Sequence, residues 1–308
     1  MIYPTVMSES RREFLRALTS VAATTALPTL AAPADFGLRL GYASITWGGK
    51  DEQAIDDISS LGFHGIQLRS NAVLEWGARS EELRDLLQRK GLELLCFSSG
   101  TVDADPDKQH HYVETHAKHA RFVKRLGGRT LQLISRRPKE RAPSAEEFQR
   151  LGKLLDEVGR RSLDLGVSLV YHNHMNGLGE APDEIARVMD ASNPKLVSLL
   201  LDIAHYQQAG GDPVAAVSRH QDRIRVLHLK DVVSPLPGDT RPPRQSYRWV
   251  ELGRGTVDVP GVIAALRKVS WNGPALIELD AVTDKALTPK DCAAVNKRYV
   301  VEKLGLSL

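Results

Sequence analysis

The chain has 308 residues, of which 42% are hydrophobic and 26% are charged, and its formal net charge at pH 7 is +3. This composition is ordinary for a soluble globular protein, so it excludes a disordered or fibrous chain. The small net charge does not favour a nucleic-acid-binding protein, which usually carries a clear basic excess. The two cysteines, Cys96 and Cys292, fall in a predicted strand and the last predicted helix, and we expect buried free thiols.

The N-terminal segment has the pattern of an export signal. Arg11 and Arg12 precede an uncharged stretch that runs to about Leu30 and is followed by small residues. This segment resembles a twin-arginine signal, and the stretch is too weakly apolar for a stable membrane span. A surface helix with two adjacent arginines is the alternative. We expect residues 1–34 to be this signal, residues 35–308 to be the mature domain, and the protein to be periplasmic or extracellular.

After residue 35, short apolar runs alternate with amphipathic helical segments at a spacing of roughly 30 residues, as in successive βα units. Eight such runs favour a single-domain (β/α)8 TIM barrel, an α/β fold, over an open doubly wound sheet. No GxGxxG or Walker motif follows a run, so we expect no nucleotide cofactor. The predicted strands are Leu38–Ser44, Gly65–Arg69, Leu92–Ser98, Thr130–Ser135, Val167–Asn173, Val197–Asp202, Ile224–Lys230 and Ala275–Glu278.

The last connection between strands, Asp231 to Pro260, is long and rich in Pro, Gly and Arg. Connections of this length in compact domains are usually functional or mobile. In a barrel this one would lie over the mouth, so we predict a lid, with a disordered solvent loop as the alternative.

Each of the last four predicted strands ends in His, Asp, Glu or Lys side chains. In an α/β barrel the C-terminal ends of the strands converge on one mouth, where the reactive groups lie. Imidazole and carboxylate groups hold divalent metals such as Mn, Co, Mg or Zn. We therefore expect a divalent metal at this mouth. The side chains are His172 and His174, then Asp202 and His205, then His228 and Lys230, then Glu278 and Asp280.

Three segments resemble the xylose isomerase-like TIM barrel superfamily of sugar isomerases, epimerases and related enzymes. Residues 201–205 are similar to its LDxxH element, residues 223–231 to its RIxxxHLKD strand, and residues 251–258 to its GxGxxD turn. Their order and spacing extend the resemblance over nearly everything after Asp35. Within the superfamily, residues 172–180 and the C-terminal stretch are most similar to the inosose dehydratase-like members.

The resemblance implies Asp202, His228 and Glu278 as metal ligands. The fourth ligand stays open between His172, which stands where sugar epimerases of the superfamily carry a glutamate, and Glu180. Gln67 also stands where many relatives carry a glutamate. Both departures count against a direct transfer of the epimerase mechanism, in which paired glutamates move the proton.

The resemblance implies proton abstraction next to a substrate carbonyl. Glu278 is the first acid–base candidate, followed by Glu180 and Lys230. A salt bridge to Asp231 or to another strand-end carboxylate is the alternative for Lys230. Polar contacts to substrate are expected from His205, His174 and Gln67, and the alternative for His205 is a hydrogen bond to a metal ligand. Grips for a carboxylate or phosphate are offered by Arg69, Arg136 and Arg137, with solvated surface arginines as the alternative. Trp47 is a candidate apolar face for a sugar ring, with ordinary packing as the alternative.

Returning the proton to the substrate gives an isomerase or epimerase, which is the first expectation. Expelling a β-hydroxyl or glycosidic oxygen gives a dehydratase or lyase, and a non-catalytic periplasmic sugar-binding protein is the second alternative. A nuclease on the same barrel is disfavoured, because it needs more metal ligands and a more basic surface. The expected partners are a small-molecule sugar or cyclitol, the twin-arginine export machinery, a sugar dehydrogenase and a second copy of the chain, with no nucleic acid.

Overall fold

Eight parallel strands close into a barrel in this computed structural model, which describes residues 37–308. Tyr42 pairs with Ile277 on one side and with Ile66 on the other, which closes the ring. The predicted signal, residues 1–34, lies outside the described residues. The strands are β1 (Arg39–Ala43), β2 (Gly65–Arg69), β3 (Glu93–Val102), β4 (Thr130–Ser135), β5 (Ser168–His172), β6 (Val197–Asp202), β7 (Ile224–Leu229), β8 (Asp231–Val233), β9 (Arg248–Val250) and β10 (Pro274–Ile277), with β8 and β9 forming a separate hairpin.

Helices cover the outside of the barrel and follow local sequence signals. Ser144 and Glu147 form a capping box at the start of the longest helix, and Gly166, a predicted helix stop, has a φ of 77° beyond its end. No helix of residues 37–308 is long and apolar enough for a membrane span. The helices are α1 (Asp51–Ser60), α2 (Asn71–Trp76), α3 (Ser80–Arg89), α4 (Gln109–Arg125), α5 (Ala145–Leu163), α6 (Pro182–Asp190), α7 (Ile203–Gln208), α8 (Pro213–Arg219), α9 (Val259–Lys268) and α10 (Pro289–Glu302).

The predicted fold is confirmed, because each of the eight predicted runs is a barrel strand. The largest difference is at β3, which continues past Ser98 to Val102. Its register against β4 shifts between Ser98 and Gly100, and the extended part then pairs Val102 with Ser135. This pairing is a tertiary contact that the pattern within β3 alone does not contain.

The barrel interior places a polar layer directly on an apolar one. Side chains of a strand point inward at every second residue, so positions two apart share a face. The apolar layer includes Val170, Leu200, Val226 and Leu276, together with Leu95 and Cys96. Cys96 and Cys292 are both buried and free, as expected. Two residues beyond the four strand positions, the inward face carries His172, Asp202, His228 and Glu278.

The connection from residue 231 to residue 260 is an ordered hairpin. Its strands β8 and β9 pair with Val232 opposite Trp249, and a short 3-10 turn, Pro243–Gln245, lies between them. This segment therefore contains regular secondary structure near both of its ends. Whether the hairpin moves as a lid stays a prediction.

Asp231 holds the base of this hairpin. Its carboxylate accepts hydrogen bonds from the backbone N–H groups of Gly253, Gly255 and Val257. A Cβ at Gly255 would collide with this carboxylate, which accounts for the glycine in the GxGxxD segment. Because Asp231 is occupied in this way, the structure shows no salt bridge between it and Lys230.

Candidate metal centre at the barrel mouth

Three buried atoms that lack a hydrogen-bond partner meet at the mouth: Nε2 of His172, Oδ2 of Asp202 and Nδ1 of His228. Oδ2 of Asp202 lies 3.5 Å from each of the two nitrogens. Nδ1 of His228 also lies 3.5 Å from Oε2 of Glu278. Good hydrogen bonds are shorter, whereas tetrahedral ligands about 2.1 Å from one cation lie about 3.4 Å from each other. These spacings, with two imidazoles and two carboxylates, fit a divalent metal.

The potential ligands fall into two overlapping groups. Among the described residues, the ligand atoms of Asp202, His228 and Glu278 lie within 4.8 Å of one another, as do those of His172, Asp202 and His205. Asp202 belongs to both groups and is fully buried. The three sequence-predicted ligands therefore come together, and His172 lies beside Asp202, whereas Glu180 belongs to neither group.

Gln67 sets the tautomer of His228. Its Oε1 lies 3.0 Å from Nε2 of His228, and an amide oxygen can only accept a hydrogen bond. Burial lowers the pKa of His228, but Glu278 and Asp202 raise it to about 9, so a metal has to displace the proton on Nδ1. The ring then keeps its proton on Nε2 and directs the Nδ1 lone pair toward Asp202 and Glu278. Such outer contacts orient metal-binding histidines. Gln67 was predicted to contact substrate, and the structure places it behind a ligand.

Gln132 contacts His172 in the way that Gln67 contacts His228. Its amide nitrogen lies 2.7 Å from Nδ1 of His172, while its Oε1 and Nε2 of the histidine are buried without partners. The two ends of an amide have nearly the same shape, and their hydrogen bonds decide between them. If the amide of Gln132 is turned over, its oxygen accepts a hydrogen bond from Nδ1–H of His172. The lone pair on Nε2 of His172 then faces Asp202. A metal bound to Nε2 of His172 requires the orientation in which the amide oxygen of Gln132 faces Nδ1.

The backbone around Asp202 leaves one carboxylate oxygen free for the metal. Oδ1 caps α7 by accepting hydrogen bonds from the N–H groups of Ala204 and His205, at 3.0 and 2.9 Å. The side chain of Asn173 bonds both backbone groups of Asp202. This leaves Oδ2 as the atom that has no protein partner. The LDxxH segment therefore builds a helix cap and a candidate ligand from one side chain.

The charges of the buried groups are set by one another. Burial favours neutral Asp202, but the nearby His205, His172, His228 and Lys230 lower its pKa well below the usual value. Burial likewise favours neutral Glu278, and His228 and Lys230 lower its pKa well below normal. Both groups are therefore carboxylates at neutral pH, as metal ligation requires.

Lys230 is a fully buried cation beside the candidate metal ligands. Its Nζ lies 3.0 Å from Oε1 of Glu278 and 2.6 Å from Oδ1 of Asp280. Burial lowers the pKa of Lys230, but Glu278, Asp280 and Asp202 together raise it above the ordinary value. Nζ also lies 4.7 Å from the ring centre of Trp249. The side chain is therefore an ammonium group with a fixed position, paired to the neighbouring strand-end carboxylates.

His205 places a second hydrogen-bond donor next to Lys230. The N–H of Met175 donates to Nδ1 of His205, and burial with Lys230 alongside lowers the pKa of His205 well below normal. The neutral ring therefore carries its proton on Nε2, which lies 3.3 Å from Nζ of Lys230. Two donors cannot satisfy each other, so this contact leaves the Nε2–H of His205 able to donate to a third atom. A substrate contact by His205 stays a prediction.

His174 presents a lone pair at the same mouth. Its Nδ1 lies 2.7 Å from the carbonyl oxygen of Met175, so Nδ1 carries the proton and Nε2 does not. Burial, with His172 and Lys230 nearby, lowers the pKa of His174 to about 4. The ring centres of His174 and His205 are 4.0 Å apart. At neutral pH, His174 is therefore an acceptor or base beside a donor.

Glu180 is placed elsewhere. Its buried carboxylate lies 2.9 Å from Nη1 of Arg137 and 2.7 Å from Nη2 of Arg244, and it accepts a hydrogen bond from the N–H of Asn176. Neither group of potential metal ligands in the described chain includes it. The expectation of Glu180 as the fourth ligand is thus not supported, because two arginines hold its carboxylate.

The other predicted contacts differ in exposure. Trp47 is 3% exposed, donates from Nε1 to Asp57 and packs edge-on against Tyr42, which is the arrangement of a packing residue. Arg69, the last residue of β2, is half-buried and lies two residues beyond Gln67 on the same face of the strand. Arg136 follows the end of β4 and is exposed.

Sequence reasoning missed Gln132, Arg244 and Trp249. The ring of Trp249 lies 4.5 Å from that of His205 and 5.0 Å from that of Tyr247. Arg244 and Trp249 belong to the long connection, where no periodic pattern predicts which side chains turn inward. Gln132 was detectable in principle as a polar residue inside an apolar strand.

The fold and site define an α/β barrel with a candidate divalent-metal centre at its C-terminal mouth. The chain belongs to the xylose isomerase-like TIM barrel family, whose sequence profile matches residues 55–297. It is 29% identical over 299 residues to an inosose dehydratase of Geobacillus kaustophilus, covering 85% of this chain and 93% of that protein.

Solved structures share this fold. The structure of the IOLI protein with a binding zinc atom superposes with a TM-score of 0.72 at 17% identity, covering 86% of this chain and 97% of that one. An L-ribulose 3-epimerase superposes with a TM-score of 0.69 at 20% identity, covering 87% of this chain and 94% of that one. At these sequence identities the two structures support the barrel fold alone.

Proposed function

We propose that this chain is a divalent-metal-dependent enzyme that removes a proton next to the carbonyl of a sugar, keto-sugar or cyclitol. The observation that carries the proposal is the set of unpaired ligand atoms of His172, Asp202 and His228, met by the carboxylate of Glu278. A divalent metal at this position supplies a Lewis acid that polarises the substrate carbonyl. Family membership and the similarity to an inosose dehydratase support the same class of reaction.

Lys230 and His205 provide the donors for a substrate oxygen. Their donor nitrogens are 3.3 Å apart, and neither satisfies the other. An oxygen that gains negative charge when the neighbouring C–H is broken would accept from both, and such preorganised donors stabilise developing charge. Both side chains are buried, which limits the access of bulk water to these donors.

Two groups are placed to accept the substrate proton. Glu278 is a carboxylate held by Lys230, and His174 carries a lone pair on Nε2. Glu180 is removed from this role by its arginine partners, and Lys230 is protonated and acts as a donor. We assign Glu278 as the first base candidate and His174 as the second.

Elimination of a β-hydroxyl, the chemistry of a dehydratase, is the outcome that the site supports best. Epimerisation in the superfamily uses paired glutamates, and the two corresponding positions hold His172 and Gln67 here. Both of these residues belong to the candidate metal centre. A base at Glu278 or His174, next to the donors Lys230 and His205, is sufficient to remove a proton and protonate a departing hydroxyl.

An isomerase or epimerase is the second candidate, favoured by the placement of His174 and Glu278. They follow β5 and β10, which are separated by β7 and β6 in the barrel order. Two acid–base groups on separated strands are able to act on two faces of one carbon. Product analysis distinguishes this reaction from elimination.

The test begins with the metal content of the purified protein, measured by elemental analysis. Deuterium uptake from heavy water into keto-sugars and inosose is then followed by NMR and mass spectrometry. We expect about one metal per chain and metal-dependent C–H exchange. Loss of a β-hydroxyl in the product identifies the dehydratase, and a changed stereocentre or moved carbonyl identifies the isomerase. Sugar binding without metal or exchange would instead support the binding-protein alternative.

We propose further that residues 1–34 direct export by the twin-arginine machinery, and that a sugar dehydrogenase outside the cytoplasm supplies the keto substrate. The support for this is the Arg11-Arg12 pattern and the uncharged stretch after it. Replacing both arginines with lysine should retain the protein in the cytoplasm, measured by cell fractionation. Arg16→Lys is the matched control and should leave export unchanged. Export of the double variant at the normal rate would contradict the signal.

A further inference from the structure

A cavity of about 860 Å³ is lined by residues from two segments that also contribute to the barrel mouth. Met175 donates its N–H to His205, and the next residue, Asn176, lines the cavity. The hairpin that carries Trp249 against His205 also supplies Arg244 to the cavity wall. The same two segments therefore supply residues to the cavity and to the mouth, and the volume is within the range of small-molecule sites.

The wall of this cavity is basic, and we call it the arginine cavity. Glu140 is the one acidic residue among those that line it. Three buried glutamates, Glu147, Glu180 and Glu184, pair with arginines of this wall. When these three and Glu140 are counted against the basic residues of the wall, the net charge is still positive. The basic residues are Arg136, Arg137, Lys139, Arg141 and Arg244.

Glu180 fixes two of these guanidinium groups. Its fully buried side chain pairs with Arg137 and Arg244, and Arg137 also pairs with Glu184. Arg244 uses only Nη2 in this contact, so its other N–H groups stay available. Glu180 thus has a structural task that its sequence position did not suggest, which is to hold two arginines in place.

Two other cations of the wall are not neutralised. Within residues 37–308, the side chains of Arg136 and Lys139 have no hydrogen bond or ion pair. Arg136 directly follows β4, the strand that carries Gln132, the residue that contacts His172. Free cations beside fixed guanidinium groups make a site that favours an anion able to accept several N–H groups.

We propose that the arginine cavity binds an anionic group of the substrate, a carboxylate or phosphate on a part of the saccharide away from the reacting carbons. This inference rests on the proposed function, because it places the reacting ring at the candidate metal centre. The enzyme then selects an acidic saccharide that is longer than one ring. Arginine recognises carboxylate and phosphate through the same paired hydrogen bonds, so the shared property is the negative charge.

The experiment measures binding of three matched disaccharides to the purified full chain by titration calorimetry at low salt: cellobiose, the same disaccharide with a terminal uronate, and the same disaccharide with a terminal phosphate. We expect at least one anionic probe to bind about tenfold more tightly than cellobiose, with a preference that weakens as salt is added. The probe with the larger preference identifies the group as carboxylate or phosphate.

The variant is Arg136→Gln with Lys139→Gln, which removes the two unpaired charges. It should reduce the anionic preference to less than about twofold without changing the affinity for cellobiose. The matched control is Arg89→Gln with Lys153→Gln, the same charge change on the exposed faces of α3 and α5, and it should retain the preference.

Equal binding of the neutral and anionic probes by the unaltered protein, or no anionic binding at millimolar concentration, would overturn the inference. A preference that survives in the cavity variant would do so too. Because binding is measured without turnover, absence of C–H exchange with the preference intact would reject the proposed reaction and leave the anion site standing.

Discussion

Oε1 of Gln67 lies 3.0 Å from Nε2 of His228, so a residue of β2 determines which nitrogen a residue of β7 offers to the barrel mouth. The contact crosses the barrel interior, and both side chains are buried. The amide oxygen accepts a hydrogen bond from Nε2–H, so Nδ1 is the nitrogen that can bind a metal. Gln67, at a position where many relatives carry a glutamate, therefore supports the metal centre through its hydrogen bond to a candidate ligand.

Gln67→Leu should weaken metal binding by roughly 10- to 100-fold, because it removes the acceptor that holds the His228 proton on Nε2. The measurement is competition for Zn²⁺ or Mn²⁺ against a chromophoric chelator. Gln67→Glu keeps an acceptor at this position and should bind metal at least as tightly as the leucine variant. Metal affinity in Gln67→Leu equal to that of the unaltered protein would contradict the role of this contact.

Asp202→Asn should abolish metal binding with little loss of fold stability. The asparagine oxygen still caps α7 as Oδ1 does now, but the negative charge at the candidate ligand is lost. Asp202→Ala should lose both functions, with about 1 kcal/mol less free energy of unfolding from the missing cap. Metal content and urea denaturation separate the two effects.

The control for this pair is Asp212→Asn. Asp212 caps α8 through backbone N–H groups of Val214 and Ala215, as Asp202 caps α7, but it belongs to neither ligand group. Its asparagine variant should keep full metal content. Retention of about one metal per chain in Asp202→Asn would show that this aspartate is not a ligand.

Trp249→Ala should lower kcat/KM by roughly tenfold, because the ring contacts both Lys230 and His205 and a cation–π contact contributes about 1 kcal/mol or more when buried. Trp249→Phe keeps an aromatic face and should lower kcat/KM by less than about threefold. Steady-state kinetics on the substrate found by deuterium exchange would measure this, with thermal unfolding to verify the fold. Equal activity in the alanine variant would remove the hairpin from the site.

His116 should make the fold sensitive to acid. It is buried against Ser99 behind β3, and burial, together with His119 and His111, lowers its pKa from 6.5 to about 3. Below pH 6.5 the unfolded chain therefore takes up a proton that the folded protein does not bind. The free energy of unfolding falls as the pH falls through this window, by about 2 kcal/mol from this residue between pH 7 and pH 5.

The measurement is urea denaturation at pH 7, 6 and 5 for the unaltered protein and for His116→Asn. Asparagine keeps a hydrogen bond to Ser99 within reach but does not titrate in this range. We expect the stability of the asparagine variant to fall less between pH 7 and pH 5, by about the 2 kcal/mol assigned to His116. Parallel curves for the two proteins would show that His116 does not carry this pH dependence.

The barrel was predictable because its strands are local patterns. Each buried strand of a parallel barrel is an apolar run, and several of the helices between strands are followed by a glycine stop, so the chain order alone contains eight βα units. The candidate ligands His172, Asp202, His228 and Glu278 were predictable for a related reason. Residues at the ends of parallel strands meet at one mouth whatever the details of packing.

The sequence by itself thus determined the barrel, the mouth and the residue types that converge there. Only the tertiary structure decided between His172 and Glu180, because that choice depends on Arg137 and Arg244, which come from other parts of the chain and capture the glutamate. The same holds for Gln67 behind His228 and for Trp249 over Lys230. These contacts join residues far apart in the chain, and periodicity within one element holds no information about which distant side chain will meet it.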